Sequence, residues 1–349
     1  MHSVPEQDLA HIWDKANRCL PALADSRIFI TGGTGFFGRW LLESLAYAVT
    51  HLDLKTEVVV LTRHPQKFLQ QSPGLMNAPW LHWLEGDVRD FNFPEGDFSH
   101  VIHAATEASA SLNRENPELM LDTITDGTRR VLAFARQANI KHFLFVSSGA
   151  IYGKQPVDCT NVDESFASAI DPLQSGAAYA VGKLYAEQMC QIYAKQFNLP
   201  VTIARCFAFV GPHLPLTTHF AIGNFIANVL NDEPISILGD GSPRRSYLYA
   251  ADLVIWLWTL LCFGESGVAY NVGADESVSI AELAKLVSQQ VEPPLAMTIA
   301  KTRNNNDPVE RYVPCTKRAR SAFNLDAWVS LPDAIHRTIL WNQTNAKSQ

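Results

Sequence analysis

The sequence predicts an α/β protein, a doubly wound parallel sheet with a smaller C-terminal lobe interwoven with it. Two observations carry that expectation. Nearly continuous apolar strands alternate with helical segments from residue 27 to about 205, the pattern of a sheet covered on both faces. A glycine-rich turn joins the first of these strands to the first of these helices. The chain has 349 residues, 47% hydrophobic and 18% charged, which supplies a sizeable core. That length reads as two domains, or one with an appendage.

The elements follow in order. Residues 1–26 read as a short polar extension forming one amphipathic helix. Arg27-Ile28-Phe29-Ile30 is a strand, Phe37 to Val49 a helix, and Glu57 to Leu61 a strand of β-branched residues. His100 to His103 is a strand, Thr125 to Ala138 a helix and His142 to Val146 a strand. A long helix runs from about Ala177 to Phe197, followed by the strand Val201 to Ala204. Beyond residue 205, Gly and Pro cluster (Gly211-Pro212, Pro215, Pro234, Gly239, Gly241, Pro243) and the elements shorten. Asn304-Asn305-Asn306 and the tail after Trp341 read as loop or fray.

Charge and cysteine usage exclude whole classes. Lys and Arg total 28 against 35 Asp and Glu, a net charge of −7, which argues against a nucleic-acid partner. A few Arg residues around a small phosphorylated ligand stay compatible with it. The six cysteines are scattered without C-x-x-C spacing, so no metal is expected and the thiols read as free in a reducing cytosol. Glu6, Asp8, Asp14 and Lys15 stand where a signal peptide needs an apolar stretch. The longest apolar run, Leu253 to Phe263, is far short of the roughly 20 residues that span a bilayer. A cytoplasmic protein without a membrane partner is expected.

The first strand runs into Thr31-Gly32-Gly33-Thr34-Gly35-Phe36-Phe37-Gly38 and then a helix. Gly32, Gly35 and Gly38 sit three apart, which permits a tight turn, close backbone approach to a pyrophosphate and close strand–helix packing. The helix N-terminus adds free N–H groups and a positive dipole end. This is a Rossmann-type signature, and it assigns dinucleotide binding to residues 27–205, completed by part of 240–275. Residues 206–349 then form mainly a substrate lobe. At the end of the second strand, Thr62-Arg63 replaces the acidic residue that would bind the ribose hydroxyls of NAD. An Arg suits a 2′-phosphate, so NADP is favoured, with NAD the alternative in which Arg63 stacks on adenine. Asp87, followed by Val88, fits a contact to the adenine edge.

Tyr179 and Lys183 stand one helical turn apart on one face. A nearby ammonium favours phenolate, lowering a phenol from about 10 toward working pH. Tyr179 is then a usable general acid or base for a sugar hydroxyl or carbonyl. Ser147-Ser148 lies just beyond the strand ending at Val146, where a hydroxyl can reach the same oxygen.

With these residues in hand, the sequence resembles the extended short-chain dehydrogenase/reductase family, in particular its nucleotide-sugar branch of epimerases, dehydratases and reductases. The matching motifs are Thr31 to Gly38, Val101-Ile-His-Ala-Ala105, Gly127-Thr128, Ser147 to Gly153, Tyr179 with Lys183, Gly211-Pro212, Gly239 to Arg245 with Tyr249 and Asp252, and Tyr270 to Gly273. They extend over roughly residues 27 to 341. The resemblance implies Tyr179 as acid/base, Lys183 as the residue that tunes it and holds the nicotinamide ribose, and Ser148 at the catalytic Ser/Thr position. It places Gly32, Gly35, Phe36, Phe37, Gly38, Arg63, Asp87, Val88, Ala104 and Ala105 against the cofactor. Arg245 and Arg311 match arginines that pair with the nucleotide diphosphate, and Asn224 matches a nucleotide-contacting Asn. A homodimer through the Tyr179 helix is also implied.

The departures narrow the reaction. After Ser148 the family's dehydratases carry an Asp-Glu pair and its glucuronate decarboxylases a Glu, whereas this chain has Gly149 and Ala150. Dehydration is therefore not expected; Glu107 and Glu164 are the acids to examine were it observed. Ala208 and Ile124 replace two frequent Asn residues. The sequence reading is hydride transfer at C4 of a nucleotide-linked hexose, leaning to NADPH-dependent reduction of a 4-keto-6-deoxy sugar. An NAD-dependent 4-epimerase is the alternative.

Overall fold

A computed structural model describes residues 3–52, 54–106, 110–218, 220–304 and 306–346. Two helices come first, α1 (Glu6–Lys15) and α2 (Cys19–Ala22). One stripe of Leu9, Ile12, Ala16, Leu20 and Leu23 runs through both, each at most 1% exposed. The expected single helix is therefore broken in two, yet its apolar period of three to four continues across the break.

The sheet region follows as β1 (Arg27–Thr31), α3 (Phe36–Leu52), β2 (Glu57–Thr62), α4 (Pro65–Gln71), β3 (Leu81–Glu85) and β4 (His100–His103). Then come α5 (Ala110–Glu115), α6 (Pro117–Gln137), β5 (His142–Ser148), α7 (Ala178–Phe197) and β6 (Val201–Cys206). Beyond these lie β7 (Phe209–Val210), α8 (Ala221–Leu230), β8 (Ile235–Ile237), β9 (Arg244–Arg245), β10 (Leu248–Tyr249), α9 (Ala250–Phe263) and β11 (Ala269–Val272). The chain closes with β12 (Val278–Ser279), α10 (Ile280–Ser288), β13 (Met297–Ile299), β14 (Arg311–Tyr312), α11 (Lys317–Phe323) and α12 (Leu331–Ala346).

Seven strands form the main sheet in the order β3-β2-β1-β4-β5-β6-β11. β1 pairs in parallel with β2 and β4, β2 with β3, and β4 with β5. The order reverses between β1 and β4, so their carboxyl ends flank the crevice where open α/β sheets bind ligands. The core against this sheet is aromatic: Phe29 packs on Phe134 at 4.8 Å and on Phe91 at 5.4 Å between ring centres. Burying such rings contributes about 1.5–3 kcal/mol each.

The chain divides into two compact units, each made of three segments. One comprises residues 1–151, 170–205 and 254–270; the other comprises 152–169, 206–253 and 271–349. The second unit carries small sheets, including the three strands β12-β9-β14. Among the described residues no helix is long and apolar enough to cross a membrane. None of their His, Cys, Asp and Glu groups is arranged to hold a metal ion.

Candidate active site

The glycine turn is built as tightly as backbone allows. Gly32 has φ of +75°, a conformation L side chains rarely adopt, and a Cβ there would lie 2.5 Å from the carbonyl of Ala104. A Cβ on Gly38 would collide with the backbone of Gly33. The Gly35 N–H donates to the Gly32 carbonyl at 3.1 Å, closing the turn ahead of α3, which begins with Phe36 and Phe37. The cradle therefore has room for backbone contact with a phosphate and none for side chains, which fits a dinucleotide.

Facing this turn, the end of β4 is fixed by a buried clamp of Thr31, His103 and Thr128, residues that stand in the matching motifs but to which the sequence assigned no role. The Ala104 N–H donates to the Thr31 carbonyl at 3.1 Å, and the Ala105 N–H to Thr31 Oγ1 at 3.2 Å. The His103 ring sits between Thr31 Oγ1, 2.7 Å from Nδ1, and Thr128 Oγ1, 3.0 Å from Nε2. Burial, assisted by the Lys183 charge, pushes His103 down to about 3, so the ring is neutral at working pH. The clamp thus ties β1, β4 and α6 beneath the backbone of Ala104 and Ala105. Gly127 lets α6 close on Val88, whose methyl would lie 2.8 Å from any Cβ.

Arg63 follows β2 and is exposed. Asp87 is held by Arg89, whose Nε and Nη2 donate to its two oxygens at 2.8 and 3.1 Å. That hydrogen bonding is the main cause holding the Asp87 carboxyl below its usual range, with the Arg63 charge a minor contributor. The Asp87 carboxylate is therefore engaged by Arg89 through both of its oxygens.

Tyr179 and Lys183 lie in the first two turns of α7, with Lys183 Nζ 6.0 Å from the centre of the Tyr179 ring. Lys183 is buried, 3% exposed, and donates to the Val146 carbonyl at 2.8 Å. Ser148 ends β5 two residues later, and its Oγ accepts the Ala150 N–H at 3.1 Å. That leaves the Ser148 proton to donate elsewhere. The helix start has no cap of its own. Asn113 of α5 provides one, accepting the Tyr179 N–H at 3.0 Å and donating to the Gly176 carbonyl at 2.8 Å. Glu187, one further turn along the same stripe, is bound by Ser147 and Arg205. The four-residue spacing 179–183–187 was the signal that could have marked it.

Arg245, Arg311 and Asn224 belong to the second unit. Arg245 pairs with Glu310 and lies 6.0 Å from the Tyr312 ring. β14 runs parallel to β9, with Arg311 opposite Arg244 and Tyr312 opposite Arg245. Pleat alternation therefore puts Arg245 and Arg311 on opposite faces of this small sheet. Asn224 is exposed in the first turn of α8. Glu164, also in this unit, accepts the Asn271 N–H at 2.8 Å, and Glu107 lies outside the described residues.

Comparison with known proteins agrees with this architecture. The model of the NAD dependent epimerase/dehydratase family matches residues 28–273. UDP-glucuronic acid decarboxylase 1 of Arabidopsis thaliana is 27% identical over 313 residues, 90% of this chain and 69% of that protein. An epimerase from Methanothermobacter thermautotrophicus superposes with a TM-score of 0.79 at 23% identity, covering 97% of this chain and 96% of its own. The dTDP-glucose 4,6-dehydratase of Streptomyces venezuelae, solved with NAD bound, gives 0.76 at 23% identity, covering 92% and 98%. The fold is the one these solved structures share, and the chain belongs to the NAD-dependent epimerase/dehydratase family.

Proposed function

We propose that the chain reduces a nucleotide-linked 4-keto-6-deoxy hexose with NADPH, hydride being exchanged at C4 while Tyr179 delivers the hydroxyl proton. The observation that carries this reading is the Tyr179–Lys183 pair on α7, its ammonium tied to the Val146 carbonyl beside Ser148. Lys183 favours the phenolate of Tyr179, which lets one phenol both give and take a proton near neutral pH. The Ser148 hydroxyl donates to the same substrate oxygen. Gly32, Gly35 and Gly38 with the backbone of Ala104 and Ala105 would hold the dinucleotide, with Phe36, Phe37 and Val88 alongside and Asp87 at the adenine edge. When bound, the nicotinamide supplies the hydride chemistry.

Arg245 would take the substrate diphosphate, giving up Glu310 as it does so, while Arg311 and Asn224 contribute to the same lobe. Gly149 and Ala150 offer no carboxylate to move ring protons. This supports reduction over dehydration or decarboxylation, although Arabidopsis UDP-glucuronic acid decarboxylase 1 is among the similar proteins. The six free thiols agree with a cytoplasmic enzyme, and homodimerisation through α7 follows the family resemblance.

Arg63 supports the reductase over the 4-epimerase, the two outcomes that share this machinery. A reductase consumes its reductant, and an Arg at the end of β2 favours the 2′-phosphate by roughly 10- to 100-fold in affinity. A 4-epimerase regenerates its cofactor each cycle and gains by holding NAD. That second reading is supported by the Thermus thermophilus UDP-glucose 4-epimerase, a similar structure solved in complex with NAD. The test titrates wild type and Arg63→Ala with both cofactors and screens nucleotide sugars, including 4-keto-6-deoxy forms, with product stereochemistry read by NMR. NADPH preference that collapses in the variant, with stoichiometric oxidation, is expected. Co-purified NAD, indifference to Arg63 and sugar interconversion without net oxidation would overturn the reductase reading.

A further inference from the structure

The α7 stripe that carries Tyr179 and Lys183 continues to Glu187, a buried carboxylate for which the proton transfer has no use. Glu187 is 5% exposed. From β5, Ser147 Oγ donates to Glu187 Oε1 at 2.6 Å. From β6, Arg205 Nη2 donates to Oε2 at 2.7 Å, with Nε 3.1 and 3.2 Å from the two oxygens. A buried ion pair offsets its desolvation only when its geometry and hydrogen bonding are good, and the guanidinium fork plus one hydroxyl meets that condition. Lys183, one turn away, donates to a neutral acceptor, the Val146 carbonyl. β5 is thus stitched to α7 at Val146 and at Ser147, immediately before Ser148.

We propose that Arg205 is a positioning residue: by holding and neutralising Glu187, it keeps the Lys183 charge acting on Tyr179 and the Ser148 end of β5 in register with α7. The inference rests on the reading of Tyr179 and Lys183 as the acid/base pair. The groups facing this stripe come from several elements. His103 on β4 is neutral, the Cys190 thiol on α7 is pushed well up by burial, and Tyr185 on the flank of α7 is engaged by Arg129 of α6. Of these groups and Arg205 on β6, Arg205 is the cation in contact with the Glu187 carboxylate.

Without Arg205, Glu187 becomes a buried anion one turn from Lys183. It draws the ammonium back along the helix and opposes phenolate formation at Tyr179, eight residues or about 12 Å away at 1.5 Å per residue. A unit charge at that range, through an effective dielectric of about 20, moves a titration by about one pH unit.

The experiment is a tyrosinate absorbance titration of the full chain as wild type, Arg205→Met and the double variant Glu187→Gln/Arg205→Met. Each is referenced to the same protein carrying Tyr179→Phe, so the difference isolates Tyr179. Arg205→Met is expected to raise the Tyr179 titration by about one pH unit, and the double variant to restore it. Identical titrations in all three, or equal displacement in both variants, would overturn the proposal, since a general packing defect does not distinguish them. Should Arg205→Met fail to fold, Arg205→Lys keeps the charge and is expected to stay near wild type; a rise of a full pH unit there overturns it equally. A wild-type Tyr179 that titrates at about 10, like a free phenol, overturns both this inference and the acid/base reading, whereas a low value unmoved by Arg205 overturns this inference alone.

Discussion

Mild acid is expected to destabilise the protein through His103 well before its carboxylates protonate. In the folded state the ring is neutral between Thr31 and Thr128, pushed down to about 3 by burial and then by the Lys183 charge. In the unfolded chain it binds a proton near its ordinary value of 6.5. The unfolded state therefore gains protons first as pH falls, and stability declines steadily from about pH 6.5 down to about 3. At pH 5 the loss from His103 alone is about 2 kcal/mol. His100, pushed down to about 4 by burial and then by His142, adds a similar amount. The assay is urea denaturation at pH 8 and pH 5 for wild type and His103→Gln, which keeps a donor and an acceptor but does not titrate. Wild type is expected to lose about 4 kcal/mol between the two conditions and the variant about half of that. Equal losses in the two proteins would refute the reasoning, because they would place the acid-sensitive group elsewhere.

What was legible in the sequence follows from burial and from separation along the chain. β1, β2, β4, β5 and β6 read as apolar runs because both faces of the central sheet are covered. β3 escaped because Leu81-His82-Trp83-Leu84-Glu85 is an edge strand that mixes exposed polar with buried positions. α6 begins at Pro117, eight residues before the expected Thr125. The start is marked by Asn116, which accepts the Leu119 N–H at 3.2 Å, and by Pro117 at the first helical position, and the turns after it already carry the buried Met120 and Ile124. The glycine turn and the Tyr179–Lys183 spacing are local patterns, so one strand and one helix sufficed to find them. His103 meets Thr31 across 72 residues and Arg205 meets Glu187 across 18, contacts that only strand order creates. The helix stripe could have nominated Glu187; nothing local could have nominated its partner.

Three more substitutions follow. Tyr179→Phe is expected to keep the fold and cofactor affinity while lowering turnover by about 10² or more, and near-normal turnover would remove Tyr179 from the mechanism. Arg245→Ala is expected to raise KM for the nucleotide sugar more than it lowers kcat, since a phosphate clamp is largely uniform binding. An unchanged KM would assign Arg245 to its pair with Glu310 alone. Gly38→Ala sets two effects of opposite sign against each other. Alanine is the better helix former by about 1 kcal/mol, so α3 by itself gains from the change. The added Cβ, however, meets the backbone of Gly33, atoms that cannot rotate away as a side chain would. Overpacking of this kind costs about 1–3 kcal/mol and falls on the turn proposed to hold the pyrophosphate. The expected result is a dinucleotide Kd raised about tenfold or more, measured by calorimetric titration with NADP and NAD, with helical content unchanged by circular dichroism. A variant that bound as tightly as wild type and melted higher would mean that helix propensity wins, and that the turn has slack between Gly33 and Gly38.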